Sequence, residues 1–326
     1  MKTTHTKTNL IIYFVAAALL LAFGLAVKES LTVVSLTAPT TMQQMTKGYC
    51  ADMAVYNGAN PGAILTLDDP RNGQSYQVAK LADNNCWMLN NLKITPQDVA
   101  SAAASLSSPG INNSALAVAA SDVPSEDTPK WYDPGGSTNN ADPTFYGYLY
   151  NWCAATGGTA ANCTESNVQP ADAATDICPA GWRLPKGGQA DDANNEFSQL
   201  SAKMAGFSDS QDATYLSDPT AYQDNWLHDG PFKGVFSGGW FNFFGDLDAQ
   251  GTDALLWSAS AYPGYPYLAH YVTFNGSEIS VDDYNGLRDY GMAVRCVATG
   301  NAAQPLDPGK PGSPATGFSP AANRSY

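Results

Sequence analysis

The chain is poor in charge. Only 14% of its 326 residues are charged, and Lys and Arg together number 16 against 30 Asp and Glu. The net charge of −14 repels polyanions, which excludes nucleic-acid binding as a function class. Histidine is scarcer still, with His5, His228 and His270 the whole complement. No HExxH, GxSxG or Walker loop occurs, so the common zinc-protease, serine-hydrolase and P-loop chemistries have no anchor. His228 sits in an aromatic stretch and His270 on an expected strand, and both read as structural. No repeat at a solenoid period is present. What the chain has in quantity is aromatic: 17 Tyr, 12 Phe and 7 Trp, a composition that folds.

Only one long apolar run exists, Leu10 to Val27, flanked on its N-terminal side by Lys2 and Lys7. As a helix it spans ~27 Å at ~1.5 Å per residue, just under the ~30 Å of a hydrocarbon core. The flanking lysines hold the N-terminus inside, so everything after Lys28 is expected to be exported. The run serves as an uncleaved anchor through residues 10–27 or as a signal peptide cut after Ala26. Behind such a leader, an even count of six cysteines points to a disulfide-stapled domain outside the cytoplasm.

Composition divides the remainder. Residues 28–47 are rich in Thr and Ser with no apolar period and read as a stalk, with the folded domain spanning 48–300. Residues 96–140 read as a surface insertion, rich in Ala, Ser and Asn up to 128 and turn-forming over 133–143. Ala193, Phe197, Leu200 and Met204 fall at helical spacing and predict an amphipathic helix over 191–206. Leu268, His270, Val272 and Phe274 alternate, and Asn275-Gly276 predicts a type I′ turn returning through Ile279 and Val281. Residues 291–297 read as a last short strand. The Pro/Gly/Ser-rich tail, 301–326, reads as disordered.

Five short phrases, mostly aromatic, stand out, four of them holding a cysteine: KLADNNCWMLNNL (80–92), YGYLYNWC (146–153), CPAGWRLP (178–185), LWSAS (256–260) and MAVRCV (292–297). In this order, from about Leu65 to Val297, the phrases resemble the FISUMP domain, the "major paralogous domain" of bacterial surface proteins, regarded as a branch of the C-type lectin-like fold. The resemblance implies an α+β domain with a twisted antiparallel sheet, a flanking helix and a long, loop-rich half. It also implies a long-range bridge joining the CPAGWRLP phrase to the terminal RCV phrase, hence Cys178–Cys296. Cys153 and Cys163 are close in sequence around a Gly-rich turn and are paired on that ground. Cys50 and Cys86 then remain, one of fifteen connectivities that six cysteines allow.

Formylglycine-generating enzymes share the fold and need reactive thiols, whereas every cysteine here has a partner to pair with. The adjacent carboxylates Asp68/Asp69, Asp191/Asp192 and Asp282/Asp283 are the candidates for glycosidase work, with nothing to mark an acid. Calcium is the cofactor the fold raises, through Asp133–Asp142 or Asp282–Asn285. Neither loop has EF-hand spacing, and the Glu-Pro-Asn or Gln-Pro-Asp triplet of sugar-binding C-type lectins is missing, so no cofactor is expected.

Residues 257–290 stand apart by composition. Tyr262, Tyr265, Tyr267, Tyr271, Asp282, Asp283, Tyr284, Asn285, Asp289 and Tyr290 give the Tyr/Asn/Asp density of adaptable recognition loops. They are the expected ligand surface, with Trp226 and His228 at its rim. The expected function is a non-catalytic, adhesin- or lectin-like module at the cell surface that binds a glycan or a protein. A self-associating envelope protein is the alternative, and an enzyme acting on envelope polymers a weaker one.

Overall fold

Leu65, Leu67 and Asp69 alternate with Thr66 and Asp68, and the chain folds on that period. The computed structural model describes residues 38–95, 129–158, 163, 172–173, 176–189, 192–206, 219–241, 246–281 and 284–299. All but Ala38 of these belong to one compact unit, Pro39–Tyr326. A short helix α1 (Lys47–Asp52) is capped by Thr46, whose hydroxyl accepts from Tyr49 N. It leads to strands β1 (Ile64–Asp69), β2 (Gln74–Lys80) and β3 (Cys86–Met88). Next come β4 (Trp131–Tyr132), β5 (Leu149–Tyr150), the short helix α2 (Trp152–Ala155) and β6 (Trp182–Arg183). Helices α3 (Glu196–Met204) and α4 (Pro219–Trp226) precede β7 (Gly239–Phe241) and β8 (Asp246–Asp248). The chain closes with β9 (Asp253–Ala261), β10 (Leu268–Asn275), β11 (Ile279–Ser280), β12 (Asn285–Leu287) and β13 (Val297–Ala298).

The architecture is α+β with antiparallel sheets. One sheet has the order β1-β2-β3-β13-β6, so the last strand is an interior one. In the other, β10 pairs with β9 along one edge and with β12 and β11 along its other edge. Both β3 and β9 are buried on both faces. Met88 and Trp257 face one apolar cluster with Trp152 and Trp182, while Trp87 and Leu256 face a second with Phe197, Trp226 and Phe232. A strand between two cores is apolar or small on both faces, as LLWSASA is, and its buried Ser258 hydroxyl is satisfied by donating to His270 O at 2.7 Å.

All three disulfides pair as the sequence implied: Cys50–Cys86, Cys153–Cys163 and Cys178–Cys296. No free cysteine remains. Three bridges point to an oxidising, exported environment. Among the described residues no helix is long and apolar enough to cross a membrane. The leader at 1–27, residues 28–37 of the stalk, 96–128 of the insertion and the tail lie outside the described residues.

Several boundaries differ from expectation. Residues 40–47 do not hang free of the domain. Thr41 bridges Asp68, Met42 and Met45 are fully buried, and Trp182 Nε1 donates to Met42 O at 2.7 Å. Residues 129–140 are likewise tied in, through β4 and through Asn140 Nδ2 donating to Ser75 O at 2.9 Å. The predicted helix starts at Glu196, not 191, because Asn195 accepts from Ser198 N and caps it. The Asn275-Gly276 turn is not type I′, since neither residue has the positive φ which that turn requires. Instead Asn275 Oδ1 accepts from Ser277 N at 2.8 Å and Glu278 N at 3.0 Å, so a side chain closes the turn. The terminal segment is not one strand over 291–297. Isolated bridges at Met292 and Ala293 precede the two-residue β13.

Candidate functional site

Between β9 and β10 the chain reads Tyr262-Pro-Gly-Tyr-Pro-Tyr267. Two prolines restrict the backbone and Gly264 takes φ +81°, so the turn is held stiffly. Three main-chain bonds close it: Tyr262 N to Leu268 O at 3.1 Å, Tyr265 N to Tyr262 O at 3.3 Å, and Leu268 N to Tyr265 O at 3.1 Å. With its backbone satisfied internally, the turn presents its rings in sequence. Tyr262 and Tyr265 centroids lie 5.8 Å apart, and Tyr265 and Tyr267 lie 5.9 Å apart edge to face. Buried His270 supports Tyr262 from below, at 5.0 Å.

A second aromatic group sits where β11 passes into β12. Tyr284 meets Tyr271 edge to face at 5.4 Å, and Tyr271 meets buried Trp257 at 6.1 Å. The Tyr284 carbonyl accepts from Tyr271 N, which locks the pair to β10. Burial, helped by the neighbouring Tyr284 and Tyr290, holds the Tyr271 hydroxyl well above the usual tyrosine range. Burial and Asp289 push Tyr290 in the same direction. Both phenols therefore act at neutral pH as uncharged hydrogen-bonding groups.

The expected ligand residues do not all share one environment. Tyr265 is 49% exposed, Tyr284 48% and Tyr267 38%. Among the described residues the only other large apolar side chain so exposed is Val55, at 40%. Tyr262, Tyr271, Asn285 and Tyr290 are half-buried, and Asp289 is buried. Asp282 and Asp283 lie outside the described residues. Trp226 is not at a rim. It is a fully buried core residue, 4.4 Å from Phe232 and 5.7 Å from Phe274, because the end of α4 turns it inward.

His228 belongs elsewhere, on a polar cleft that sequence reading missed. The cleft is small, about 40 Å³, and is lined by Gln77, Asn90, Asn140, Asp142, His228 and Lys233, among others. Asn90 builds its floor, accepting from Gln77 N and donating to Asn140 O, each at 2.6 Å. Lys233 adopts a left-handed φ of +54°. A side chain on the next residue, Gly234, would run into the Trp226 carbonyl and the Phe274 ring, so the backbone here cannot shift away. Lining residues come from four separated segments, and no motif could have announced them.

Several other ionisable groups are engaged within the fold. Asp69 and Arg71 form a bidentate pair, both buried, and Arg71 Nη1 donates to Ile177 O at 2.7 Å. Asp68, on the opposite face of β1, accepts from Ser75 Oγ at 2.6 Å, so these neighbours cannot act as one carboxylate pair. Arg183 holds Glu196 with two 2.5 Å bonds. Arg295 is buried under Phe232 and donates to Asn91 Oδ1, Phe232 O and Lys233 O. Burial lowers its guanidinium to about 9, still cationic at neutral pH. In the 133–142 loop, Asp133, Asn139 and Asp142 accept from the loop's own N–H groups, as turn caps do. Among the described residues no group of three His, Cys, Asp or Glu could hold a metal ion. Compared with family models, curated proteins and solved structures, the chain matches none.

Proposed function

We propose that this chain is an exported recognition module of FISUMP type, built on a C-type lectin-like fold, that displays a tyrosine surface to a glycan or protein ligand. The observation that carries the proposal is the exposure of Tyr265, Tyr267 and Tyr284, while the other large aromatics among the described residues are mostly packed away. An exposed ring is a poor way to stabilise a fold and a good way to meet a partner. Tyrosine offers a wide apolar face and a polar tip at little rotamer cost. Such rings stack on the C–H faces of sugars without a metal. The lectin-like reading is supported by the interior terminal strand, by the Cys178–Cys296 bridge beside it, and by α3 packed through Phe197 and Leu200.

A binding screen against glycans and cell-surface proteins, with and without calcium, tests the proposal. Replacing Tyr262, Tyr265, Tyr267 and Tyr284 together with Ala is expected to abolish binding, at about 1–2 kcal/mol or more for each true anchor. The melting temperature should hold. No ligand in the screen, together with concentration-dependent self-association, would favour an envelope structural protein instead.

A further inference from the structure

We propose that the cleft between His228 and Lys233 is a second binding site, separate from the tyrosine surface, and that it takes a carboxylated sugar such as a hexuronic acid residue. The argument begins with what its side chains already do. Asn90 is committed to Gln77 and Asn140, and Asn140 Nδ2 to Ser75. Asp142 Oδ1 accepts from Thr144 N at 2.8 Å and from Thr144 Oγ1 at 2.6 Å, which holds the carboxyl below the usual aspartate range and so ionised. Three groups have no such commitment. The Gln77 carboxamide makes no hydrogen bond among the described residues. The His228 Nδ1 faces Asp229 Oδ1 at 3.2 Å, leaving Nε2 uncommitted. The half-buried Lys233 ammonium has only the Tyr56 ring, 5.9 Å away, and no carboxylate at ion-pair distance among the described residues.

That last point selects the ligand. A half-enclosed ammonium is stabilised by an anion that meets it directly. Asp142 on the same cleft repels a multiply charged anion such as phosphate but accepts from hydroxyls. Gln77 can both donate and accept. One carboxylate for Lys233, with hydroxyls for His228 Nε2, Asp142 and Gln77, is the pattern of a sugar acid.

The test is calorimetric titration of the full chain with trigalacturonate, with its carboxyl-reduced form, and with inorganic phosphate. Trigalacturonate should bind and the other two should not. Lys233→Gln and Gln77→Ala, on different segments, should each weaken binding roughly tenfold, the loss of about one charge-assisted or neutral hydrogen bond. The melting temperature of each variant shows whether it folds, and two variants guard against one that does not. The fourfold tyrosine variant should bind trigalacturonate as well as the parent. No binding of trigalacturonate, or equal binding of its reduced form, overturns the proposal. So does loss of binding in the tyrosine variant alone, which would leave the tyrosine surface as the sugar site.

Discussion

Asp68 and Asp69 are neighbours with opposite fates, and the difference is the two-residue period of a strand. Asp68 faces water, while Asp69 faces inward and is held by Arg71. Removing one partner of a buried ion pair leaves the other charge without compensation. Asp69→Ala should therefore cost about 3–5 kcal/mol in urea denaturation, and Asp68→Ala within about 0.5 kcal/mol, as for ordinary surface changes. Asp83 carries a pH signature. Burial raises its pKa, against opposing hydrogen bonds from Asn85 and from Trp87 Nε1 at 3.0 Å. The folded state thus holds its proton more tightly than the unfolded state does. Its contribution to stability is full below the ordinary aspartate value and is lost as pH rises through the raised one. Denaturation midpoints measured across that window should fall for the parent, and the fall should be smaller in Asp83→Asn.

At the scale of elements, the parts legible in the sequence were those fixed by local chemistry. The amphipathic spacing of Phe197, Leu200 and Met204 marks α3, and the alternation of His270, Val272 and Phe274 marks β10. Boundaries were less legible, because they depend on which side chain takes the cap. Asn195 takes it for α3, and Asn275 uses its carboxamide where a glycine turn was expected. The disulfides differ in what they constrain. Cys178–Cys296 spans 118 residues and Cys153–Cys163 spans 10. In the chain-entropy model these correspond to about 5 and about 3 kcal/mol. Replacing each pair by Ala should lower the urea midpoint in that order. Equal losses would show that native packing around the bridges, and not loop closure, sets their worth.

At the scale of the whole molecule, the two apolar clusters use side chains that no period advertises. Met42 and Met45 lie in a polar TMQQMTK stretch that reads as linker, yet both are fully buried. A fragment starting at Pro39 should therefore melt well above one starting at Gly48. Burying a methionine is worth about 2–5 kcal/mol against Ala, so a difference of several degrees is expected by calorimetry. The tyrosine surface was visible because its residues are contiguous, whereas the polar cleft was not, because Gln77, Asn90, Asp142 and Lys233 meet only in the fold. The place of β13 also constrains the order of events in time. Val297 pairs with both Trp87 and Arg183, so the last strand of the chain sits inside the sheet that holds the first three. A polypeptide emerging N-terminus first, from a ribosome or a translocation channel, cannot close this sheet until residue 297 is out. Until then β3 and β6 each expose an open edge, and Cys178 waits as a thiol for Cys296. Contacts this distant in sequence make for slow folding, so this sheet and its Cys178–Cys296 bridge are completed late.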